Sequence, residues 1–227
     1  MDVNPLGVCH KVRDFKVLQY WRDKIDQIDI LYVENYDHEE AHRISRQFFL
    51  EHNEYTHYLF IGDDVLILPS HIDLVIEDAK IIKNAVICGY SNINFREDKI
   101  NINFRDLRKI YVTSREQYQH PSIYDVLADK FDYPFVKVFF QGNTLACYPR
   151  DIVEKLSFKP YKYEFDNVLG KRMKRGQMFD LQMCIELANM GVPILCDLRL
   201  LCMHFGDTLR FINVAGKEKR VWLKRKG

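Results

Sequence analysis

Two neighbouring aspartates, Asp63 and Asp64, interrupt the apolar segment FIGDDVLIL at residues 60–68. Ionised carboxylates in an apolar setting need compensation, and adjacent carboxylates repel each other unless a cation lies beside them. Because carboxylate oxygens suit hard divalent cations, the pair predicts a Mg²⁺ or Mn²⁺ site. The alternative is a solvated turn with two surface aspartates, and the apolar residues on both sides disfavour it.

Two further side chains have types and places that suit such a site. Asp180 stands in the first turn of the predicted helix FDLQMCIELANMG and is a candidate general base, although acidic residues in first turns also stabilise helices through the dipole. His204 closes an apolar segment and is a candidate metal ligand, although a lone histidine there is more often structural. A soft-metal site with Cys202 is disfavoured, because no other Cys or His pair supports it.

Basic residues provide candidate phosphate contacts. Lys171, Arg172, Lys174 and Arg175 cluster in a loop just before Asp180, and Arg43 belongs to an earlier helix. Guanidinium groups bind phosphate oxygens through paired hydrogen bonds. A solvated basic loop is the usual alternative.

The first ninety residues alternate strand and helix patterns. Strands are predicted at 28–33, before GDD and at 85–90, with helices after Asp37 and from Pro69. This alternation predicts a mostly parallel sheet with helices on both faces, which binds ligands beyond the carboxyl ends of its strands. Asp63 and Asp64 follow one strand and Glu34 follows another, so we expect them at one edge.

The second half is less regular. Residues 91–134 are polar and mixed, with edge strands predicted at 100–103. FVKVFF and GNTLACY read as strands, a helix is predicted over about 178–190, and PILCD and LRLLCMH read as two short strands. Gly191 and Pro193 end the helix.

Composition limits the class of protein. The 227 residues suggest one domain, and the net charge of +1 predicts no nucleic-acid partner. No apolar run is long enough to cross a membrane, and the N-terminus lacks the form of a signal peptide. The six cysteines show no C-x-x-C pair and read as free thiols. We therefore expect a cytoplasmic protein. The basic tail with Trp222 and Leu223 suits an anionic membrane surface, and a frayed, solvated terminus is the alternative.

Taken in chain order, these motifs resemble those of the GT-A fold nucleotide-sugar glycosyltransferases, most closely the family-2-like members. THYLFIGDDVLILPSHI is similar to the strand that ends in a D-x-D motif, and FFQGNTLACYPRDIVEKL to the glycine-containing strand of that family. FDLQMCIELANMGVPILCD resembles the helix that begins at an x-E-D motif, and CMHFGD resembles the late histidine. The resemblance covers residues 28–206 in order.

The resemblance implies a single GT-A type, Rossmann-like domain with a nucleotide-binding half (1–90), an acceptor half (91–206) and a basic tail (207–227). It implies inverting transfer of a sugar from a UDP- or GDP-sugar to a hydroxyl of a glycan, protein or lipid-linked acceptor, with Mn²⁺ or Mg²⁺ as cofactor. In that reading Asp180 is the base, and Asp64 and His204 bind the metal. The implied donor or nucleotide contacts are Glu34, Asp37, Arg43, Asp63, Gly142 and Arg175.

The chain departs from the family pattern at two positions of these motifs. Gly62 stands where the first Asp of D-x-D is expected, and a one-residue shift would exchange the roles of Asp63 and Asp64. Phe179 replaces the usual Glu before Asp180. These departures motivate a non-catalytic GT-A binding module as one alternative. A polymerase palm with a metal-binding GDD hairpin is another, disfavoured because a helix is predicted where the second hairpin strand would run.

Overall fold

The computed structural model describes residues 3, 5–9, 19, 21–23, 25–33, 36, 38–62, 64–94, 99–104, 120–127, 134–159, 179–204, 207–214 and 217–224. Seven of the predicted site residues lie outside the described residues: Glu34, Asp37, Asp63, Lys171, Arg172, Lys174 and Arg175.

The described elements form strands throughout the chain and five helices between them. The strands are β1 (Pro5–Cys9), β2 (Asp29–Tyr32), β3 (His57–Ile61), β4 (Val65–Leu66), β5 (Val86–Tyr90), β6 (Asn92–Asn94), β7 (Lys99–Ile100), β8 (Ile102–Asn103), β9 (Phe135–Val138), β10 (Phe140–Gln141), β11 (Leu145–Pro149), β12 (Ile194–Leu201), β13 (Met203–His204), β14 (Asp207–Val214) and β15 (Lys217–Lys224). The helices are α1 (His38–Glu51), α2 (Pro69–Ile81), α3 (Ile123–Leu127), α4 (Arg150–Val153) and α5 (Phe179–Asn189).

A seven-stranded sheet in the order β2-β1-β3-β11-β5-β12-β9 forms the centre of the fold. Strands β1, β2, β3, β5 and β12 run in one direction, whereas β11 and β9 run antiparallel to their neighbours. The predicted α/β, Rossmann-like fold with a mostly parallel sheet is therefore confirmed. Strand β11 lies between β3 and β5, so residues 145–149 from the second half of the chain separate two strands of the first half.

Apolar side chains cover both faces of this sheet, which is why its central strands read as near-continuous apolar runs. On one face, Tyr58 and Phe60 of β3 belong to the core cluster that includes residues of α1 and α5. On the other face, Leu59 and Ile61 pack with residues of α2. Helices on both faces thus bury alternate residues of each strand.

Helix α1 turns a different face to the core from the one that its sequence predicts. Ala41, Ile44 and Phe48 are the expected inward residues, but the buried positions are 41, 42, 45 and 49. Two of them are polar, His42 and Ser45, and partners from elsewhere in the chain account for their burial. The Ser45 hydroxyl lies 2.9 Å from the Tyr58 hydroxyl of β3, and the His42 ring stacks on aromatic rings.

The prediction of two short strands at PILCD and LRLLCMH is wrong, because residues 194–201 form one strand with a shifted register inside it. Asp197, which looked like a strand break, is fully buried. Arg199 of the same strand and Asp78 of α2 hold it in an ion-pair network. A charged residue can therefore lie within a central strand because Arg199 of the same strand is its counter-ion, and Arg199 also pairs with Asp78 of α2.

Candidate functional site

The first part of the site is the turn that follows β3 at the carboxyl edge of the sheet. The Gly62 N–H donates to the Thr144 carbonyl at 2.9 Å, and the Val65 N–H donates to the Gly62 carbonyl at 3.1 Å. A Cβ added at Gly62 would lie 2.8 Å from Val65 Cγ2. The local packing therefore disfavours the first Asp of a D-x-D motif at this position. Asp64 follows in the turn and is partly buried.

His204 is brought to the same turn by backbone pairing. Strand β13 pairs with β4, and His204 lies opposite Val65, the residue directly after Asp64. The two predicted metal ligands, 140 positions apart in the chain, are thus neighbours at one edge of the sheet. Cys202 does not belong to this group, because it is buried in the apolar cluster on the α2 face of the sheet and its thiol donates to the Leu200 carbonyl. Burial raises the pKa of the Cys202 thiol, so it stays protonated and is a poor metal ligand.

The glycine-containing loop before β11 lies against this turn and is held by buried polar side chains. A Cβ at Gly142 would lie 2.8 Å from Asn101 Nδ2, so the loop can approach Asn101 closely only with glycine there. Asn101 Nδ2 donates to the Thr144 hydroxyl, and Asn101 Oδ1 accepts from the Ser91 N–H at 2.8 Å. The hydroxyls of Ser91 and Thr144 are 3.0 Å apart. This network joins the end of β5 to the start of β11.

The next loop residue, Asn143, has a left-handed backbone with φ 48°. Its N–H donates to Gln141 Oε1 at 2.5 Å, and its Oδ1 accepts from Gln141 Nε2 at 2.5 Å and from the Tyr148 hydroxyl at 2.9 Å. Gln141 Nε2 also donates to the Tyr148 oxygen at 2.7 Å. Burial raises the pKa of Tyr148 well above its usual value, so the hydroxyl stays a donor.

Helix α5 packs on this loop and carries the predicted base. Cys184 Sγ lies 3.8 Å from the Gln141 carbonyl oxygen, and Met183 Sδ lies 4.0 Å from Asn143 Nδ2. Asp180, one turn earlier, is partly buried, and its Oδ1 accepts from the Leu181 N–H at 2.8 Å. Burial raises the pKa of the Cys184 thiol, and the negative charge of Asp180 adds to the rise.

Phe179 is a core residue at the start of the same helix. Its ring stacks on the fully buried His42 ring, with 3.6 Å between centroids and 7° between planes. The position that carries Glu in the resembling family is therefore occupied here by a packing contact between α5 and α1.

Arg43 lies on α1 with its side chain 59% exposed, where it binds its own helix rather than the loop or the Asp64 turn. Its guanidinium contacts the Glu40 carboxylate at 2.6 and 2.8 Å and donates to Gln47 at 3.1 Å. The described contacts therefore place Arg43 in a surface ion pair.

The donor set fits Mn²⁺ or Mg²⁺ only in part. Among the residues that the structure describes, no three His, Cys, Asp or Glu side chains are grouped as a complete metal site needs. Asp64 offers a carboxylate, and the backbone pairing places His204 beside it. A carboxylate with an imidazole suits Mn²⁺ when further oxygens come from a bound phosphate.

Sequence reasoning missed the buried polar residues that build the site. Gln141, Asn143 and Thr144 flank the predicted Gly142, and Asn101 belongs to the predicted edge strand ININ. The signal was present, since amides and hydroxyls beside apolar strand residues need partners when they are buried. A cavity of about 360 Å³ between α5 and β9 is lined by none of the predicted site residues.

Comparison with known proteins concerns the fold. No family model and no curated protein sequence matches the chain. A197 from STIV has a similar structure over 99% of this chain and 96% of that one, with a TM-score of 0.57 and 13% identity. CMP:2-keto-3-deoxy-manno-octonic acid synthetase complexed with CTP matches 86% of this chain and 89% of its own, with a TM-score of 0.48 and 11% identity. The inositol-1-phosphate CTP transferase from T. maritima matches 87% of this chain and 86% of its own, with a TM-score of 0.43 and 9% identity.

At 13% identity the similarity to A197 concerns architecture alone, and it extends over nearly the whole length of both chains. The chain thus has a Rossmann-like α/β fold that is shared with a solved structure. The described helices include none with the length and apolar character to cross a membrane.

Proposed function

We propose that this protein is a metal-dependent glycosyltransferase of the GT-A type, which moves a sugar from a nucleotide-sugar to an acceptor hydroxyl. The observation that carries the proposal is the pairing of β13 with β4, because it places His204 beside the Asp64 turn at the carboxyl edge of the sheet. Ligands of open α/β sheets bind at this edge. The loop at Gly142 then extends from the turn to the helix of Asp180.

The roles follow from the position of each residue. Asp64 and His204 would hold Mn²⁺ or Mg²⁺, which neutralises the charge of a departing diphosphate. Asp180 would accept the proton of the acceptor hydroxyl, since a carboxylate in a first helical turn can face the ligand edge. The backbone of the loop beside Gly142 would lie against the donor, and glycine lets this loop approach Asn101 closely. The chemistry is inverting, as it needs one base and no second nucleophile.

The main alternative is a GT-A type domain that binds a nucleotide-sugar or a partner without catalysis. The polymerase alternative has less support, because β4 pairs with β13 rather than folding back on β3, and α2 begins at Pro69. A metal-binding hairpin needs two paired strands on either side of GDD.

A donor screen tests the proposal. UDP- and GDP-sugars are titrated calorimetrically with and without Mn²⁺, and transfer or slow hydrolysis of each bound donor is measured. We expect metal-dependent binding of at least one donor that Asp64→Ala weakens at least tenfold. We expect Asp180→Asn to keep donor affinity and to lose at least 100-fold in kcat, the range of general-base catalysis.

Glu186→Gln is the matched control for Asp180→Asn, because Glu186 lies on the same helix and bonds to the Ser157 backbone and hydroxyl. Metal-independent donor binding, or transfer that survives Asp180→Asn, would remove the assignments. Metal-dependent binding without turnover on any acceptor would favour the non-catalytic module.

We also propose contact between the C-terminal region and an anionic membrane, so that a lipid-linked acceptor reaches the site. Residues 207–227 hold seven basic and two acidic residues, against 26 basic and 30 acidic in the rest of the chain. Residues 217–224 form a strand paired antiparallel with 207–214, which disfavours the alternative of a frayed terminus over these residues. Arg210, Lys217 and Lys219 occupy positions on one face of this ladder.

Vesicle sedimentation tests this contact. We expect binding to vesicles with anionic lipid and none to neutral phosphatidylcholine, and a marked loss of binding for Lys217→Glu with Lys219→Glu. Equal binding to both vesicles, or binding to RNA instead, would contradict it.

A further inference from the structure

We infer that Asn143 is a positioning residue, whose left-handed backbone sets the Asp64 turn relative to the helix of Asp180. The inference rests on the proposed function for its catalytic consequence, but its structural part stands by itself. It concerns a residue that the motif resemblance does not single out.

The backbone of Asn143 is strained. A non-glycine residue at φ 48° costs free energy, and such residues persist only where their surroundings hold them. Asparagine tolerates this conformation better than other residues because its short amide can bond locally. The conformation is therefore a feature that the surrounding contacts impose.

Hydrogen bonds with Gln141 and Tyr148 hold Asn143 in this conformation. Its N–H and Oδ1 both bond to Gln141, and Tyr148 donates to the same Oδ1 while accepting from Gln141 Nε2. The three side chains form a closed ring of hydrogen bonds, and Gln141 and Tyr148 are fully buried. Its Oδ1 is used in this ring, its Nδ2 lies 4.0 Å from Met183 Sδ of α5, and only 7% of the residue is exposed, so Asn143 acts by holding the loop and not by contact with a ligand.

The loop of residues 141–144 contacts a different element at each end. On one side, the Thr144 carbonyl accepts from the Gly62 N–H at 2.9 Å, and the Asn143 carbonyl lies 3.6 Å from where a Gly62 Cβ would be. On the other side, the Gln141 carbonyl contacts Cys184 of α5. The loop is thus a direct physical connection between the turn that carries Asp64 and the helix that carries Asp180.

The consequence is a separation of binding from turnover. A metal and a donor need mainly the Asp64 side, whereas transfer also needs the base at the correct distance from the acceptor. Misplacement of a catalytic group by about 1 Å can cost on the order of 100-fold in rate. Disturbing the ring of hydrogen bonds should therefore lower kcat and leave metal and donor affinity nearly unchanged.

Four variants of the full chain test the inference. Asn143→Val disfavours the left-handed backbone and removes the ring, whereas Asn143→Gly removes the same side chain but keeps the backbone, so it should lose less than Asn143→Val. Tyr148→Phe removes one hydroxyl from the ring with little change in volume, and it serves if Asn143→Val does not fold. Tyr55→Phe is its matched control, because the Tyr55 hydroxyl bonds to Asp29 of β2, away from the loop.

Amide hydrogen exchange is the first measurement, and it does not depend on activity. In Asn143→Val and Tyr148→Phe we expect faster exchange both at residues 62–66 and in the first turns of α5, by at least tenfold. Tyr55→Phe should exchange at these places within threefold of the parent protein, and exchange in Asn143→Gly should lie between that of the parent protein and that of Asn143→Val. Unchanged exchange in Asn143→Val and Tyr148→Phe, or a change at one end alone, would overturn the inference.

Kinetics is the second measurement, and it separates this inference from the proposed function. If the parent protein transfers sugar, we expect kcat to fall at least 30-fold in Asn143→Val and three- to tenfold in Tyr148→Phe, with KM and Mn²⁺ affinity within threefold. If the parent protein transfers no sugar, the proposed function fails, and hydrogen exchange still decides whether the loop couples the two elements. Equal losses in kcat and metal affinity would assign Asn143 to binding.

Discussion

Replacement of Arg199 by Met should cost this protein a large part of its stability. The Arg199 side chain joins α2 to the central sheet through two carboxylates. Its Nη2 donates to the Asp78 oxygens at 2.6 and 2.9 Å and to Asp197 Oδ2 at 2.8 Å, and its Nε donates to the Asp197 oxygens at 2.9 and 3.0 Å. Asp197 is fully buried and Asp78 is 5% exposed.

The magnitude follows from what the substitution leaves behind. Methionine keeps most of the apolar stem but removes the charge, so two buried carboxylates face each other without a cation. Breaking a buried ion pair at one partner costs about 3–5 kcal/mol, out of a typical total stability of about 5–15 kcal/mol. The loss of the contact between the guanidinium and the Phe135 ring, 5.5 Å away, adds to this.

The cost should depend on pH with a definite sign. Burial and the neighbouring Asp197 raise the pKa of Asp78 to about 6, and Arg199 is the group that opposes this rise. In the variant the folded-state pKa of Asp78 should therefore lie higher still, well above the value of about 4 in an unfolded chain. A group with a raised folded pKa favours folding at low pH, and this contribution is lost as the pH rises through the folded pKa. The deficit should thus be largest above about pH 7 and smaller at pH 5.5.

Urea unfolding followed by circular dichroism at pH 7.5 and 5.5 measures both effects. Arg43→Met is the matched control, because it removes an arginine from an exposed ion pair and should change the unfolding midpoint little. Combining Arg199→Met with Asp78→Asn and Asp197→Asn should recover most of the loss, since no buried charge then remains. A loss for Arg199→Met no larger than that of the control, or one that is equal at the two pH values, would refute this reasoning.

Two other predictions concern stability near the site and acid sensitivity. Gly62→Ala should destabilise the fold by about 1–2 kcal/mol, because the new Cβ meets Val65 Cγ2 at 2.8 Å. In a double-mutant cycle with Val65→Ala, measured by urea unfolding, most of this cost should disappear. Additive losses for the two substitutions would contradict the prediction. Burial lowers the pKa of His71 to about 4, and its Nδ1 accepts from the Leu68 N–H at 3.4 Å. The free energy of unfolding should therefore fall by roughly 2 kcal/mol from this residue as the pH drops from 6.5 towards 4. His71→Gln should make the free energy of unfolding depend less on pH in this range. An unchanged pH dependence would contradict the assignment.

The fold was predictable from the sequence where local patterns decide it. The apolar runs of β3 and β5 predict buried strands, and Gly191, with φ 73°, ends α5 as expected. The place of β11 in the sheet was not predictable, because nothing local to residues 145–149 indicates that they pair with β3 on one side and β5 on the other. Pairing partners are set by the packing of the whole sheet.

The same limit applies to polar residues in the core. Asp197 looked like the end of a strand because an aspartate is usually exposed, but Arg199 of the same strand is its counter-ion. His42 and Ser45 looked like outward residues of α1, since their partners on β3 and α5 cannot be read from the helix itself. In each case the residue type predicts a surface position, and a partner side chain reverses the prediction.

The candidate site was predictable as an order of motifs but not as an arrangement. Asp64, Asp180 and His204 could be named from the resemblance, and β13 then places His204 beside Asp64 by pairing with β4. Arg43 was named as a phosphate contact, and the structure places it in an ion pair on its own helix. The loop that connects the elements was missed, because asparagine after glycine suits a left-handed turn but does not say which elements the turn will contact.

The two departures from the resembling motifs have physical causes that bear on whether the site is active. Gly62 is held by the close approach of Val65, the residue opposite His204, so a carboxylate at 62 would disturb the strand pairing that brings His204 to the turn. Phe179 is buried in a stack with His42. Asp64 and Asp180, by contrast, are only partly buried and lie outside the apolar clusters. Packing therefore accounts for both lost acidic positions without requiring a loss of function.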